Sequence, residues 1–403
     1  MKIIQINQNY RIGSTGRIMH EINQLINKSG HIGYMACAYP MGSDSNLFVM
    51  QNLPNWFAMR KDLLIARMTG LTGYLAGRRT KRLLKWIDSI HPDIIHLHNI
   101  HGDWINLSLL FKYIKEKNIS IVWTLHDCWS FTGRCSHFEN KGCYKWETGC
   151  YDCCDKIVYP TTYFFDFSKK MWKDKSVLFS GLNCAHIVTP SDWLANYVKR
   201  SYLGKYNIHT INNGIDLSVF KPVSSQSKYL KGVNGKHIII GVATSWTPMK
   251  GLDDIITLNG IIDKSKYIVV LVGLNKRQMK KIPKDIIGIE RTNNINELVE
   301  LYSSASVFIN PTYQDNYPTV NLEAIACGIP VITYNTGGSI ESITNETGLV
   351  VEKGDVNGIK QAISNLCEHP IDKTKLVKYA SANFDKNIKY KDYINLYERI
   401  LNN

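Results

Sequence analysis

The chain has 403 residues, 44% apolar and 20% charged, with 48 Lys and Arg against 34 Asp and Glu for a formal charge of +14. At roughly 150 residues per domain this predicts two or three domains with real cores and excludes a disordered chain. No apolar run approaches the ~20 residues of a membrane-crossing helix, and the start, Met1–Asn7, reads as a strand rather than a signal peptide. A cytoplasmic protein is expected, able to associate with the inner face of the plasma membrane.

The first strand, Lys2–Asn7, leads into Gly13-Ser-Thr-Gly16-Arg17 and a helix from Gly16 to Lys28. Small residues between a strand and a helix allow a ligand to approach the backbone, although a plain tight turn has the same composition. The spacing is not Gly-x-Gly-x-x-Gly, and the next strand, Ile32–Ala38, ends without the acid that holds an NAD ribose. A dinucleotide site is therefore not expected.

Between Arg60 and Lys85 stand Arg60, Lys61, Arg67, Arg78, Arg79, Lys81, Arg82 and Lys85, with Asp62 the only acid, interleaved with Leu63, Leu64, Ile65 and Met68. A basic amphipathic stretch predicts contact with an anionic membrane surface or a polyanionic acceptor; a solvated helix face is the alternative. No helix-turn-helix, zinc-finger or RNA-binding signature occurs, so nucleic acid is not an expected partner.

Helices at Arg79–Ile90 and Leu107–Lys117 alternate with strands at Ile94–His98 and Ser120–Leu125. His96, His98, His101 and Asp103 cluster after one strand and His126-Asp127 after the next, at the ends where parallel sheets bind ligands. Six of the ten cysteines then fall in residues 128–154. Cys135, Cys143, Cys150 and Cys153 include one C-x2-C pair and are set among Gly133, Gly142 and Gly149, which suits a structural tetrathiolate zinc site. Disulfides and free buried thiols are the alternatives; a reducing cytosol disfavours disulfides.

After a strand at His186–Thr189 and a helix at Asp192–Lys199, the turn-rich Thr210–Asp216 marks a crossing point. The second half repeats the alternation, with strands at His237–Val242, Tyr267–Val272, Val307–Asn310, Pro330–Tyr334 and Gly348–Val351. Helices are expected after Gly251 and at Ile295–Ser303, Asn357–Glu368 and Ile388–Leu401. Strand–helix alternation implies parallel, doubly wound sheets. The expected division is residues 1–208, 209–385 and a terminal helix, 386–403, folding back on the first domain.

Two loops of the second half suit a nucleotide sugar. Lys250 in Thr244–Leu252 stands at a helix start, where a cation opposes the helix dipole unless a phosphate lies beside it. In Asp315-Asn316-Tyr317-Pro318-Thr319-Val320-Asn321-Leu322-Glu323-Ala324, a strand exit meets a helix predicted from Leu322 to Cys327. Its unpaired N–H groups favour an anion. Glu323 suits vicinal hydroxyls such as those of a ribose.

The Asp315-x7-Glu323 pattern resembles that of the retaining family 4 glycosyltransferases of the GT-B fold, and Thr124–Cys135 is similar to colanic-acid, capsule and O-antigen members. The resemblance spans nearly the whole chain. Two positions depart from it: Asp315 stands where Glu is usual, and Ser245 where an Arg normally precedes the lysine by five places.

The resemblance implies two Rossmann-like domains facing a central cleft and transfer from a nucleoside diphosphate sugar to a saccharide or polyprenyl-diphosphate-linked acceptor, with no catalytic metal. It assigns His126, Lys250, Asp315 and Glu323 to catalysis. Gly13, Gly16, Ser245, Lys250, Asn316, Tyr317, Pro318, Thr319 and Glu323 are assigned to the donor. The alternatives are a nucleotide-sugar 2-epimerase of the same fold and a non-catalytic, zinc-stabilised membrane adaptor.

Overall fold

The structure, a computed structural model, describes residues 1–50, 56–156 and 161–402, of which 56–60 are described as backbone; the side chain of Arg60 thus lies outside the described residues. Two compact units form: Met1–Asn212 together with Tyr390–Asn403, and Asn213–Lys389.

Among the described residues the first unit holds seven strands: β1 (Lys2–Tyr10), β2 (Ile32–Pro40), β3 (Leu47–Val49), β4 (Ile94–Leu97), β5 (Ser120–Thr124), β6 (Ala185–Thr189) and β7 (Asn207–Thr210). All pair in parallel, in the order 3-2-1-4-5-6-7. Successive side chains leave opposite faces of a strand, so both faces carry a core. Ile3, Ile94, Val122 and Val188 pack against Ile18, Ile22 and Ile26 of helix Gly13–Lys28 and against Tyr390, Tyr393, Ile394, Tyr397 and Ile400 of the final helix, Lys386–Asn402. Ile4, Ile6, Ile95, Leu97, Ile121 and Trp123 face Leu83, Ile87, Leu110, Phe111, Ile114 and Phe179 on the other side.

The second unit has six strands, β8 (His237–Val242), β9 (Tyr267–Val272), β10 (Ile286–Ile289), β11 (Val307–Asn310), β12 (Val331–Tyr334) and β13 (Gly348–Val351), also all parallel, in the order 10-9-8-11-12-13. Ile238, Ile240, Phe308 and Val331 cover Tyr302, Leu322 and Ile325, while Ile239, Val307, Ile309 and Ile332 cover Ile255, Leu258, Ile359 and Ile363. Both sheets are therefore doubly wound, with helices on each face.

The elements depart from the sequence expectation in several places. Helix Gly13–Lys28 begins at Gly13, so the predicted Gly13–Gly16 loop is its first turn and Arg11-Ile12 makes the bend. The helix bearing Glu323 runs Thr319–Ala326, not Leu322–Cys327, because Pro318 takes the extended N-cap conformation and releases the next residue into the helix. Strands β3, β7 and β10 and helices Trp56–Thr69, Ser168–Leu178 and Lys373–Asn383 carried no predicted counterpart.

Candidate active site

In each sheet the strand order reverses at one point, between β1 and β4 and between β8 and β11. The connections leaving the two strands at such a point diverge to opposite faces and open a crevice at the carboxyl edge, where doubly wound sheets bind ligands. In the second unit, the segment after β8 carries Lys250 and the segment after β11 carries Asp315.

These segments meet. Lys250 closes a single 3-10 turn, Pro248–Lys250, and Gly251 caps helix Leu252–Ile261 with φ +72°. A Cβ on Gly251 would lie 2.1 Å from the carbonyl oxygen of Pro311, so only glycine lets this turn lie against the β11 exit. The amide of Tyr313 and the hydroxyl of Thr312 both donate to the carbonyl of Met249, at 2.8 and 3.2 Å. So fixed, Lys250 Nζ donates to Asp315 Oδ2 at 2.5 Å, with the two side chains 34% and 19% exposed. The helix dipole at Leu252 is answered by acids of its own first turn, Asp253 and Asp254. Asp254 is held by the hydroxyls of Tyr313 and Tyr334, each at 2.8 Å.

Asp315 is braced by backbone. Its Oδ1 accepts from the amide of Asn316 at 3.1 Å, and its carbonyl lies so near Gly337 that a Cβ there would approach it to 2.0 Å. Asn316, Tyr317 and Pro318 are buried, and the carbonyl of Tyr317 accepts from Asn213 Nδ2 at 3.0 Å. Thr319 then opens a helix that no side chain caps, with Thr319 and Val320 half-buried and the rest enclosed. Asn321 ties this helix to β11, accepting from Asn310 at 2.9 Å and donating towards Ser339 and Ser342 at 3.3 Å.

Glu323 is only 2% exposed, and its Oε2 accepts from the buried Tyr302 hydroxyl at 3.3 Å. A freely solvated helix carboxylate is excluded. Ser245 is exposed beside Trp246, whose indole donates to the carbonyl of Val272 at 2.9 Å and whose own carbonyl accepts from Gln278 at 2.6 Å. Asn213, Asn321, Tyr302 and Gly337 escaped sequence reasoning. Only the Gly337-Gly338 pair carried a signal, that of a close backbone approach.

The first unit groups other predicted residues. Gly13 opens its helix at φ +64°, and a Cβ there would meet nothing within 4 Å, whereas a Cβ on Gly16 would press on the Arg11 amide at 3.0 Å. His126 follows β5, and its Nε2 lies 3.1 Å from His98 Nδ1 with the rings stacked. His98 Nε2 contacts Gln5 Oε1 at 3.1 Å, and buried His96 bridges Thr124 at 2.8 Å and the Tyr397 hydroxyl at 2.6 Å. Burial pushes His126 down to about 4, an effect that Asp127 opposes, and holds His96 and His98 well below the usual imidazole range. Burial alone would raise Asp127, but His101, 3.2 Å away, together with His137 and the Trp129 amide leaves the carboxyl lowered.

Cys135, Cys143, Cys150 and Cys153 also lie in the first unit, as free thiols in an irregular segment. Among the described residues, no three His, Cys, Asp or Glu side chains already stand in a coordinating group.

Comparison with known proteins gives this geometry a family. Residues 64–219 match the family model described as Glycosyltransferase Family 4, and residues 227–383 match that described as Glycosyl transferases group 1. An Escherichia coli (strain K12) protein named for glycosyl transfer in colanic acid biosynthesis is 25% identical over 99% of this chain and 100% of its own length. A capsular polysaccharide biosynthesis glycosyltransferase of Staphylococcus aureus is 29% identical over 45% of this chain and 51% of its own. An N,N'-diacetylbacillosaminyl-diphospho-undecaprenol alpha-1,3-N-acetylgalactosaminyltransferase of Campylobacter jejuni is 26% identical over 47% and 54%. The chain thus spans about half the length of the last two.

Among solved structures, sucrose-phosphate synthase from Thermosynechococcus elongatus superposes with a TM-score of 0.71 at 16% identity, covering 100% of this chain and 99% of the other. Anabaena HepE in complex with UDP gives 0.67 at 14%, covering 99% and 100%. With two doubly wound parallel sheets, the two family models along most of its length and these neighbours, the chain belongs to the family 4 and group 1 glycosyltransferases of the GT-B fold.

Proposed function

We propose that this glycosyltransferase moves a sugar, with retention at the anomeric carbon, from a nucleoside diphosphate sugar held by its second unit to a saccharide or polyprenyl-diphosphate-linked acceptor. The product would serve a bacterial surface polysaccharide such as capsule or O-antigen. The observation that carries this reading is the Lys250–Asp315 ion pair at the strand-order reversal, beside the uncapped start of helix Thr319–Ala326.

A departing diphosphate gathers negative charge, and the protein's task is to stabilise it with donors already in place. Lys250 is held in an open pair, so a phosphate can share or take over its ammonium. The amides at the helix start add the positive end of the dipole. Asp315 would turn to the hydroxyls of the transferred sugar, and Glu323, fixed from behind by Tyr302, would accept from the ribose. No protein nucleophile is required: the leaving diphosphate itself takes the acceptor's proton. Anabaena HepE, in complex with UDP, and the Campylobacter relative, named for an undecaprenol-linked acceptor, support the donor and acceptor classes. Contact with the inner face of a membrane is supported by Lys61, Arg67, Arg78, Lys81, Arg82 and Lys85, all exposed, beside exposed Leu63, Leu64 and Met68. Among the described residues no helix is long and apolar enough to cross a bilayer.

Glu323→Gln tests this reading, since the amide keeps the shape and can still accept from Tyr302. We expect turnover to fall by about 100-fold or more, with the far-UV spectrum and melting temperature retained. Wild-type turnover, followed as nucleoside diphosphate release, would refute it.

A further inference from the structure

The cysteine-rich segment poses a charge problem that glycosyl transfer does not explain. Arg134 is 2% exposed, and both its terminal nitrogens are buried without a hydrogen-bond partner. Lys175, also 2% exposed, donates to the Trp129 carbonyl at 2.5 Å and lies 3.9 Å from the Trp129 ring centre. Neither has a carboxylate within ion-pair distance among the described residues. Asp127, which lies within electrostatic reach of Lys175, is already engaged by His101. A buried guanidinium without an anion is among the least favourable arrangements a protein can hold.

The groups around these cations are sulfurs. Arg134 acts electrostatically on both Cys135 and Cys153, and Lys175 on Cys150 and Cys135. The Cys135 thiol donates to the sulfur of Cys153, and Cys150 lies within reach of Cys135, Cys143 and Cys153. Backbone amides also point at sulfur. Gly133 N donates to Cys150 Sγ at 3.0 Å, and the amide of Asp155 donates to Cys153. A side chain at Gly133 would collide with Cys150, its Cβ meeting that of the cysteine at 2.7 Å, so glycine is what permits this approach. Cys154 donates to Cys143 but is itself exposed, at the edge of the cluster.

We propose that Cys135, Cys143, Cys150 and Cys153 bind one zinc ion as thiolates, with Arg134 and Lys175 as its buried counter-cations. Four thiols binding Zn2+ release four protons and leave a centre of net charge −2, which offsets the two cations. Two disulfides would carry no charge and leave the Arg134 guanidinium, which cannot shed its proton, unanswered. Amides donating to thiolate sulfur are the expected surroundings of such a centre. The centre is structural, because four sulfurs leave no open position for substrate, and it fixes the segment that directly follows His126.

The test uses the full-length protein purified under reducing, chelator-free conditions. Native mass spectrometry and elemental analysis should find about one zinc per chain, with the four thiols unreactive until a mercurial displaces the metal. Cys135→Ser, Cys150→Ser and Cys153→Ser should each lose the zinc, and Cys184→Ser should keep it. Arg134→Met should surrender zinc to a competing chelator about tenfold faster than wild type. Three results would overturn the proposal: a protein that is metal-free and takes up no added zinc, a mass two or four daltons low from disulfides, or an Arg134→Met exchange rate equal to wild type.

Discussion

In the proposed donor site, the resemblance leads one to expect two cations for a diphosphate. Ser245 stands where one of them would be, and Lys250, at the position of the other, leans on Asp315 at 2.5 Å. Ser245 is exposed. Ser245→Arg should therefore tighten nucleoside diphosphate binding about tenfold, while Lys250→Met weakens it by tenfold or more, since each charge-assisted bond contributes roughly 1.5–3 kcal/mol. Calorimetric titration with nucleoside diphosphate measures both, and equal affinity in the wild type and the two variants would remove the site from this loop. The sequence made Lys250, Asp315 and Glu323 legible because charge at a strand exit or helix start has few structural reasons to be there. Tyr302 and Asn213 stayed hidden because their partners lie 21 and 104 residues away, beyond any local pattern.

Among the elements, the segment 248–251 shows how backbone geometry delivers a side chain. Gly251 combines a left-handed backbone with a contact that excludes a Cβ, so Gly251→Ala must strain the turn or push it away from Pro311. We expect a stability loss of about 1–3 kcal/mol. Nucleoside diphosphate affinity should fall with it, because Lys250 is displaced without being altered. Urea unfolding and calorimetry on the same variant measure the two effects, and unchanged stability would show the contact to be dispensable. The strands that the sequence revealed were those buried on both faces, such as Val269–Val272 in β9, which read as continuous apolar runs. Leu47–Val49 and Asn207–Thr210 escaped because edge strands of three or four residues bury little and carry no such run. The start of helix Thr319–Ala326 was misplaced because Pro318 reads equally as a loop residue and as an N-cap.

Across the whole molecule, the first unit rests on imidazoles that must stay neutral. His96, His98 and His126 are all held below their ordinary value, whereas the unfolded chain protonates them near pH 6.5. Their contribution is thus complete above about pH 6.5 and is lost as pH falls towards the His126 value of about 4. At pH 5 the penalty is about 2 kcal/mol for each imidazole kept uncharged. Melting followed by a first-unit signal, such as tryptophan fluorescence, should show a marked drop between pH 7.5 and 5. An unchanged midpoint would mean that these rings meet water.

Residues 390–402 pack with Met1–Asn212, although the 177 residues of Asn213–Lys389 lie between them along the chain. A ribosome must therefore release all of Asn213–Lys389 before Tyr390, Tyr393 and Tyr397 can cover Ile18, Ile22 and Ile26. During synthesis the second unit can close first, while the first waits with a greasy groove uncovered. Chaperone occupancy on nascent chains should consequently persist until residues 390–402 have left the ribosome.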